Sequence, residues 1–249
     1  MEVIADQLKH NLMALGVRRG GVVMVHSSLK ALGHVEGGAP TVIQALREAL
    51  GEDGTLLMPA LSYELVTRAE PCFDIRNTPS NVGIIPETFR RLEGTLRRLH
   101  PTHSVCAAGR LAQALLAPHA QDTTPCGPNS PFHTLPAHDG QILMLGCGLE
   151  PNTSMHAIEE LVVPPYLYAD PITYRLTPAD GNVQEKVYTP HDFRGWRQRY
   201  DRVDQVLTAP GLRQGRVLQA QAYLIEAAAL WEAALAALRR DPLYFVEPE

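Results

Sequence analysis

The chain has 249 residues, 45% of them hydrophobic, and a formal net charge of -5. This length can bury a full core as one domain, and no long Ser-, Gly- or Pro-rich linker divides it, so we predict a single domain over residues 1–249. The acidic balance argues against a nucleic-acid binder, which needs a basic face. Residues 1–6 lack the basic start of a signal peptide, and no apolar run approaches the ~18 residues of a membrane span. We therefore expect a cytoplasmic protein with no nucleic-acid or membrane partner.

The cysteines give no sign of a metal centre. Cys72, Cys106, Cys126 and Cys147 lie far apart, with no CxxC pair, and no paired histidines stand at zinc-ligand spacing. We predict reduced, mostly buried thiols and no metal.

Helical and strand patterns alternate through the first half of the chain. Residues 2–15 repeat apolar side chains at helical spacing, 22–25 read as a buried strand, and 41–50 as a helix that ends at Gly51. Strands are predicted over residues 55–61, 104–107 and 141–146, and helices over 83–92 and 111–116. This alternation predicts a three-layer α/β/α sandwich with a mixed, mainly parallel central sheet.

The second half differs. Residues 172–176 and 183–188 flank turn-forming residues 178–182, which predicts an antiparallel hairpin added to the sheet. Residues 217–240 are rich in Ala and Leu and predict one long helix, with Trp231 and Leu235 on its packing side.

The segment 148–160 carries the most chemistry. It follows the predicted strand 141–146 and starts a helix capped by Asn152, Thr153 or Ser154, which places His156 in the first turn. Glu159 stands three residues later on the same helix face, so its carboxylate can orient the imidazole as a general base. The structural alternative is that His156 caps or packs and Glu159 is a solvated first-turn acid.

Polar residues also stand where other strands begin or end. Ser27 and Ser28 follow the first strand, where α/β proteins present backbone amides and hydroxyls to ligands, although helix capping also explains both. Tyr63 and Glu64 follow the strand 55–61 and are candidates for binding an acceptor. Gly146-Cys147-Gly148 begins a dinucleotide fingerprint, but Pro151 replaces its third glycine. Neither a GxSxG elbow nor a phosphate-binding loop is present.

Five ordered blocks, residues 26–33, 78–90, 100–109, 127–132 and 152–160, resemble the aminoglycoside 3-N-acetyltransferases, also called antibiotic N-acetyltransferases. A weaker similarity lies around residues 191–193 and in the C-terminal helix. The resemblance implies an α/β/α fold and transfer of acetyl from acetyl-CoA to an amine, the 3-amino group, of an aminoglycoside-type substrate. One departure is Ala157, where many members have a second histidine.

The spacing at the helix start gives roles to single residues in this reaction. His156 is the candidate to take the proton of the acceptor amine, directly or through a water, and Glu159 fixes its tautomer. Thr153, at the helix start, is the candidate to place its hydroxyl or backbone amide near the developing oxyanion or sulfur. The cofactor-binding positions that the resemblance implies are Ser27, Ser28, Leu29, Lys30, Thr102, His103, Ser104 and Val105. The structural alternative for His103 is an ordinary strand edge.

Two rival functions stay open: an acetyltransferase of the same fold that acts on another amine, and a catalytically silent CoA-binding protein. A nicotinamide enzyme ranks last. The expected partner is a small polyamine or aminoglycoside, and the sequence leaves the oligomeric state open, with a homodimer as one option.

Overall fold

The structure of the protein is a computed structural model that describes residues 2–249. The helices are α1 (Glu2–Leu15), α2 (Ala39–Leu50), α3 (Ile84–Arg91), α4 (Ala112–Leu116), α5 (Pro131–Thr134), α6 (Ser154–Val162), α7 (Val203–Val206) and α8 (Ala227–Arg240). The strands are β1 (Val22–Ser27), β2 (Thr55–Pro59), β3 (Cys72–Asp74), β4 (Leu96–Arg97), β5 (Val105–Gly109), β6 (Gln141–Leu145), β7 (Ile172–Thr177), β8 (Gln184–Tyr188), β9 (Trp196–Gln198), β10 (Leu212–Val217), β11 (Ala220–Glu226) and β12 (Val246–Pro248). Short 3-10 helices cover Lys30–Leu32, Ala117–Gln121, Leu135–His138 and Tyr200–Arg202.

The central sheet is mixed, as predicted, but less parallel than predicted. Within residues 2–249 it has seven strands in the order β10-β11-β6-β1-β2-β5-β4. The described pairings of β1 with β2 and with β6 are parallel, and the other four are antiparallel. Parallel neighbours need a long crossover, whereas short connections join β4 to β5 and β10 to β11 and make them antiparallel. The prediction of a mainly parallel sheet was therefore wrong.

Helices cover both faces of this sheet, which confirms the three-layer architecture. One face packs against α1, α2 and α3 through a core that includes Leu12, Ile43 and Phe89. The opposite face packs against α4 to α8, with Phe132 and Ile158 fully buried. In α1 the apolar residues recur every three or four positions, so one stripe of the helix faces the sheet.

The predicted helix over residues 217–240 is wrong in its first ten residues. Residues 212–217 and 220–226 form the hairpin β10-β11, and helix α8 begins only at Ala227. Ala220, Ala222 and Leu224 are buried while Gln221 between them is exposed. This period of two fits a strand that pairs with β6, and the alanine-rich composition hid it.

The hairpin predicted from residues 172–188 exists as β7-β8, but it does not join the central sheet. It pairs instead with β3, in a separate three-stranded sheet of the described chain. Tyr174, Leu176 and Tyr188 form a small core with Phe73 there. This second sheet stands beside the main one and helps to enclose the cavity described below.

Two other sequence predictions bear on the chain as a whole. Within residues 2–249, no helix is both long enough and apolar enough to cross a membrane. The four cysteines, all in the described part, are free; Cys106 and Cys126 are buried, Cys147 is half-buried, and Cys72 is exposed. The prediction of free thiols is confirmed, and burial holds fully for two of them.

Candidate active site

A cavity of about 680 Å³ lies at one edge of the central sheet. The loops that follow β1, β2 and β6 meet there, because parallel strands end at the same edge. Strand β5 runs antiparallel to β2, so the residues just before it, Thr102 and His103, reach that edge as well. The second sheet and the segment 190–200 close the other side. This topology explains why blocks far apart in sequence line one cavity.

Gly146 lets two of these loops pack tightly. Its φ of 76° is in the left-handed region, and a Cβ at this position would lie 2.6 Å from the Cβ of Ala31. The Ser28 amide donates a 2.9 Å hydrogen bond to the Leu145 carbonyl beside it. The turn after β1 is therefore fixed against the loop that leads to α6, and a side chain at residue 146 would separate them.

His156 lies in the first turn of α6, as predicted. The Asn152 side-chain oxygen accepts a 3.2 Å hydrogen bond from the Ser154 amide and so caps the start of the helix. The His156 side chain lines the cavity and keeps 12% of its surface exposed. The imidazole is therefore accessible to a ligand in the cavity.

Glu159 supports the His156 ring on the side away from the cavity. Its side chain is 0% exposed, which excludes the alternative of a solvated first-turn acid. One oxygen accepts a 2.9 Å hydrogen bond from the Tyr166 hydroxyl. The other accepts a 2.7 Å bond from the Tyr200 hydroxyl and lies 3.1 Å from His156 Nδ1. Two phenol donors and an imidazole nitrogen thus face one buried carboxyl group, an arrangement that suits a carboxylate, which only accepts.

Tyr200 indicates which ring nitrogen of His156 carries the proton. Burial, followed by the charge of Glu159, raises the pKa of Tyr200 well above its ordinary value, so the residue stays a phenol and donates to Glu159. Its oxygen lies 2.8 Å from His156 Nδ1 and can then only accept from it. We therefore assign the proton of neutral His156 to Nδ1. The lone pair of Nε2 is left for a ligand.

Two further imidazoles stand beside His156. The ring centroids of His103 and His191 lie 6.0 Å and 5.0 Å from that of His156. Burial, with the neighbouring imidazoles adding to it, lowers the pKa of both residues well below the ordinary value of 6.5. His26, which also lines the cavity, is buried, and its pKa falls to about 3. The imidazoles around His156 are therefore neutral at neutral pH.

The cavity brings together part of the predicted site. Six predicted residues line it: Ser27, Tyr63, Thr102, His103, Thr153 and His156. Glu159 lies behind His156. The remaining predicted positions do not line it: Ser28, Leu29, Lys30, Glu64, Ser104 and Val105.

Structural contacts explain two of these placements. The Ser104 hydroxyl donates to the Ala60 carbonyl and accepts from the Arg97 guanidinium. Val105 is fully buried in β5. Lys30 and Glu64 are exposed on the surface. Cofactor contact by these residues stays a prediction.

Sequence reasoning missed the residues that hold the histidines. Tyr166 and Tyr200 contact Glu159, and Glu160 lies 2.9 Å from His191 Nε2. Two of these residues had a signal: Glu160 lies in the block 152–160, and His191 in the weaker similarity around residues 191–193. The tyrosines had none, because an isolated tyrosine in a loop pattern is most often a packing residue.

Charged side chains of both signs face the cavity. Glu150 and Asp192 line it together with Arg68 and Arg194. The Arg194 Nε lies 2.5 Å from Asp192, and Glu150 lies 3.4 Å from an arginine outside the cavity. Both carboxylates are only partly covered, so an amine can compete for them.

The size of the cavity and one unpaired hydroxyl on its lining suit a small-molecule ligand. Its volume is in the range of sites that hold small ligands. The buried Ser27 hydroxyl, at the end of β1, has no hydrogen-bond partner among the residues that the structure describes. A free hydroxyl at the carboxyl edge of a sheet suits an amide or phosphate group.

The fold and the site define an α/β enzyme in which a carboxylate-oriented histidine faces a ligand cavity. A profile of the aminoglycoside 3-N-acetyltransferases matches residues 24–239. Aminoglycoside N(3)-acetyltransferase IV of Salmonella sp is 35% identical, covering 97% of this chain and 90% of that protein. Aminoglycoside N(3)-acetyltransferase IX of Micromonospora chalcea is 31% identical, covering 94% and 92%. The chain belongs to this family of acetyl-CoA-dependent N-acetyltransferases.

Solved structures of aminoglycoside acetyltransferases support the same family assignment. A mutant of the acetyltransferase AAC(3)-IVa in complex with a gentamicin has a TM-score of 0.83 at 33% identity, covering 98% of this chain and 91% of that one. The AAC-IIIb binary structure with CoASH has a TM-score of 0.83 at 28% identity, covering 98% of each chain. These similarities confirm the predicted α/β fold with a mixed central sheet, as in solved aminoglycoside acetyltransferases.

Proposed function

We propose that this chain transfers the acetyl group of acetyl-CoA to an amine, the 3-amino group, of an aminoglycoside, with His156 as the general base. One observation carries the proposal. Tyr200 and Glu159 hold the proton of His156 on Nδ1, so that Nε2 presents a lone pair to the cavity. The family match and the relatives solved with CoA and with gentamicin support the choice of substrates.

His156 Nε2 takes a proton from the acceptor nitrogen as that nitrogen forms its bond to the acetyl carbon. Acetyl-CoA, when bound, supplies the thioester whose carbon–sulfur bond breaks. The Glu159 carboxylate, 3.1 Å from Nδ1, stabilises the imidazolium that forms. The imidazolium can then give its proton to the departing sulfur, which restores neutral His156. Atoms and charge balance without a metal or another co-reactant.

Thr153 stands just before α6 and lines the cavity. Its hydroxyl is our candidate donor to the developing oxyanion or sulfur. Ser27, Thr102 and His103 also line the cavity and are proposed to hold the pantetheine portion of the cofactor. The resemblance also implies cofactor contacts by Ser28, Leu29 and Lys30. Ser104 and Val105, which it implies as well, are fully buried, so their proposed role is to hold Thr102 and His103 in place.

The site that binds the acceptor requires negatively charged side chains, since an aminoglycoside is a polycation. Glu150 and Asp192 are the carboxylates on the cavity surface and are proposed to bind its other amines. Tyr63, which is 46% exposed, offers a ring and a hydroxyl at the same opening. Glu64 lies next to it on the surface, and its contact with the acceptor stays a prediction.

The test is His156→Ala with acetyl-CoA and a panel of aminoglycosides and simple amines. General-base catalysis contributes about 10²- to 10⁴-fold, so the turnover number should fall by about that factor while CoA affinity, measured by calorimetry, stays near that of the wild type. His34→Ala, at an exposed histidine, is the matched control.

The outcomes separate the rivals. Turnover of simple amines alone identifies another acceptor, and CoA binding without any turnover identifies a silent CoA-binding protein. If His156→Ala turns over like the wild type, the base lies elsewhere and His103 is tested next. The homodimer and the cytoplasmic location stay predictions, to be checked by light scattering and cell fractionation.

A further inference from the structure

Three imidazoles from distant parts of the chain converge beside the cavity. His103 precedes β5, His156 begins α6, and His191 follows β8. Each offers a ring nitrogen, and the three nitrogens all lie within 4.8 Å of one another. No local sequence motif predicts this cluster, because its three histidines are far apart in sequence.

Each ring has its other nitrogen held by a second residue. Glu159 lies 3.1 Å from Nδ1 of His156, and Glu160 lies 2.9 Å from Nε2 of His191. The Thr102 hydroxyl lies 2.9 Å from Nδ1 of His103. Metal-binding histidines characteristically have a carboxylate or another polar group on the nitrogen that does not bind the metal, because this partner fixes the ring and its tautomer.

His191 supplies a second, independent observation. Its side chain is only 5% exposed, yet Nδ1 has no hydrogen-bond partner anywhere in residues 2–249. The residue also lines the cavity. A buried imidazole nitrogen without a partner costs free energy unless a ligand occupies the space before it.

We propose that His103 Nε2, His156 Nε2 and His191 Nδ1 bind one divalent transition-metal ion of the Zn²⁺ type, with a fourth position open to the cavity. Zinc–nitrogen bonds of ~2.0–2.1 Å in a tetrahedral site place the nitrogens about 3.3 Å apart. One ring nitrogen of each residue lies within 4.8 Å of those of the other two, so the rings must approach by about 1.5 Å at most, a shift within reach of small side-chain rotations. Three imidazoles favour Zn²⁺, Co²⁺, Ni²⁺ or Cu²⁺ over Mg²⁺ or Ca²⁺.

Such an ion inhibits the enzyme. It occupies the lone pair of His156 Nε2, which the proposed function uses to take the acceptor's proton, and this consequence rests on that proposed function. The ion is therefore an inhibitor, distinct from any cofactor of the reaction.

Binding is tested on EDTA-treated wild-type protein without CoA or other thiols, which would compete for the ion. We expect calorimetry to show one Zn²⁺ per chain, and Co²⁺ to give the visible absorption of a four-coordinate site. Mg²⁺ should give no heat of binding. His191→Gln, whose amide can still donate to Glu160, and His103→Gln should each weaken Zn²⁺ binding more than tenfold. His34→Gln, at an exposed histidine outside the cluster, should bind like the wild type.

Absence of saturable Zn²⁺ binding to the wild type overturns the proposal, as does binding that neither cluster variant weakens. Circular dichroism checks that both variants fold. Anomalous scattering at the zinc edge should place the ion among the three rings. An ion found elsewhere would also overturn the proposal. A separate activity assay reads acetylated product by mass spectrometry, with Zn²⁺ kept in excess over the CoA thiol that the reaction releases. Under these conditions, Zn²⁺ that binds at the cluster without inhibiting turnover leaves the metal site standing and refutes the role of His156 as base.

Discussion

Glutamine at position 159 removes a buried charge while keeping the shape of the side chain. Two donors, the Tyr200 hydroxyl and His156 Nδ1, face one carboxylate oxygen, and the Tyr166 hydroxyl faces the other. The amide of Glu159→Gln has one oxygen, which should face the side with two donors. Its NH₂ group then faces Tyr166, whose hydroxyl can turn and accept. His156 should therefore keep its proton on Nδ1.

The cost of this substitution follows from the distance. An ion pair at 3.1 Å gains about 5 kcal/mol at an effective dielectric constant of about 20. His156 carries only part of its charge in the transition state, and the glutamine keeps a hydrogen bond, so we expect a barrier increase of about 2 kcal/mol. At about 1.4 kcal/mol per tenfold, the turnover number should fall about 30-fold.

Thiol release at saturating acetyl-CoA and acceptor measures this turnover number. Glu232→Gln, at an exposed position on α8, is the matched control and should change nothing. Wild-type turnover in Glu159→Gln would refute the orienting role of the carboxylate. A loss of about 10⁴-fold would show that the amide had turned over and placed the histidine proton on Nε2, the wrong tautomer. Adding Tyr166→Phe, which removes the competing donor, should then restore activity.

Three other predictions concern the cofactor, stability and the acceptor. Ser27→Leu places apolar bulk on the cavity surface, so calorimetry should show CoA affinity at least tenfold weaker, and an unchanged affinity would remove Ser27 from the cofactor site. Burial lowers the pKa of His26 and of His119 from 6.5 to about 3, so the unfolded chain binds more protons than the folded one in acid. The free energy of unfolding should therefore fall as the pH drops below about 6.5. His26 and His119 together contribute about 3 kcal/mol of this loss between pH 7.5 and 5.5, and the other buried histidines add to it; a flat profile in urea titrations contradicts this. The KM of an aminoglycoside should rise with salt, because Glu150 and Asp192 attract it through charge that is screened over ~8 Å at physiological ionic strength, and a salt-independent KM counts against them.

Local patterns predicted those parts of the fold whose residues carry their own signal. The start of α6 is one, because Asn152 caps it and the spacing of His156 and Glu159 puts both on one face. Strand β6 is another, since its five residues are apolar or buried throughout. The prediction failed for strand β11 because its alanines favour helix locally. The segment forms a strand because it pairs with β6, a long-range contact.

The site itself was half predictable for the same reason. His156 and Glu159 interact within one helical turn, so spacing alone suggests their contact. Tyr200 reaches Glu159 across 41 residues of sequence, and His191 reaches Glu160 across 31. Such contacts depend on how the segment 190–200 packs over the cavity, and no period or motif in the sequence encodes that packing.

Burial of the carboxylate explains why the site needs these distant residues. An ionised Glu159 with no exposed surface is costly unless donors satisfy both oxygens, and α6 alone supplies only the imidazole of His156. Tyr166 and Tyr200 supply the other two hydrogen bonds. Because Tyr200 stays protonated and donates its single proton to Glu159, its oxygen is available to accept from His156 Nδ1, which favours the tautomer with the proton on Nδ1. The residues that stabilise the buried charge are thus the same residues that leave the histidine free to act as a base.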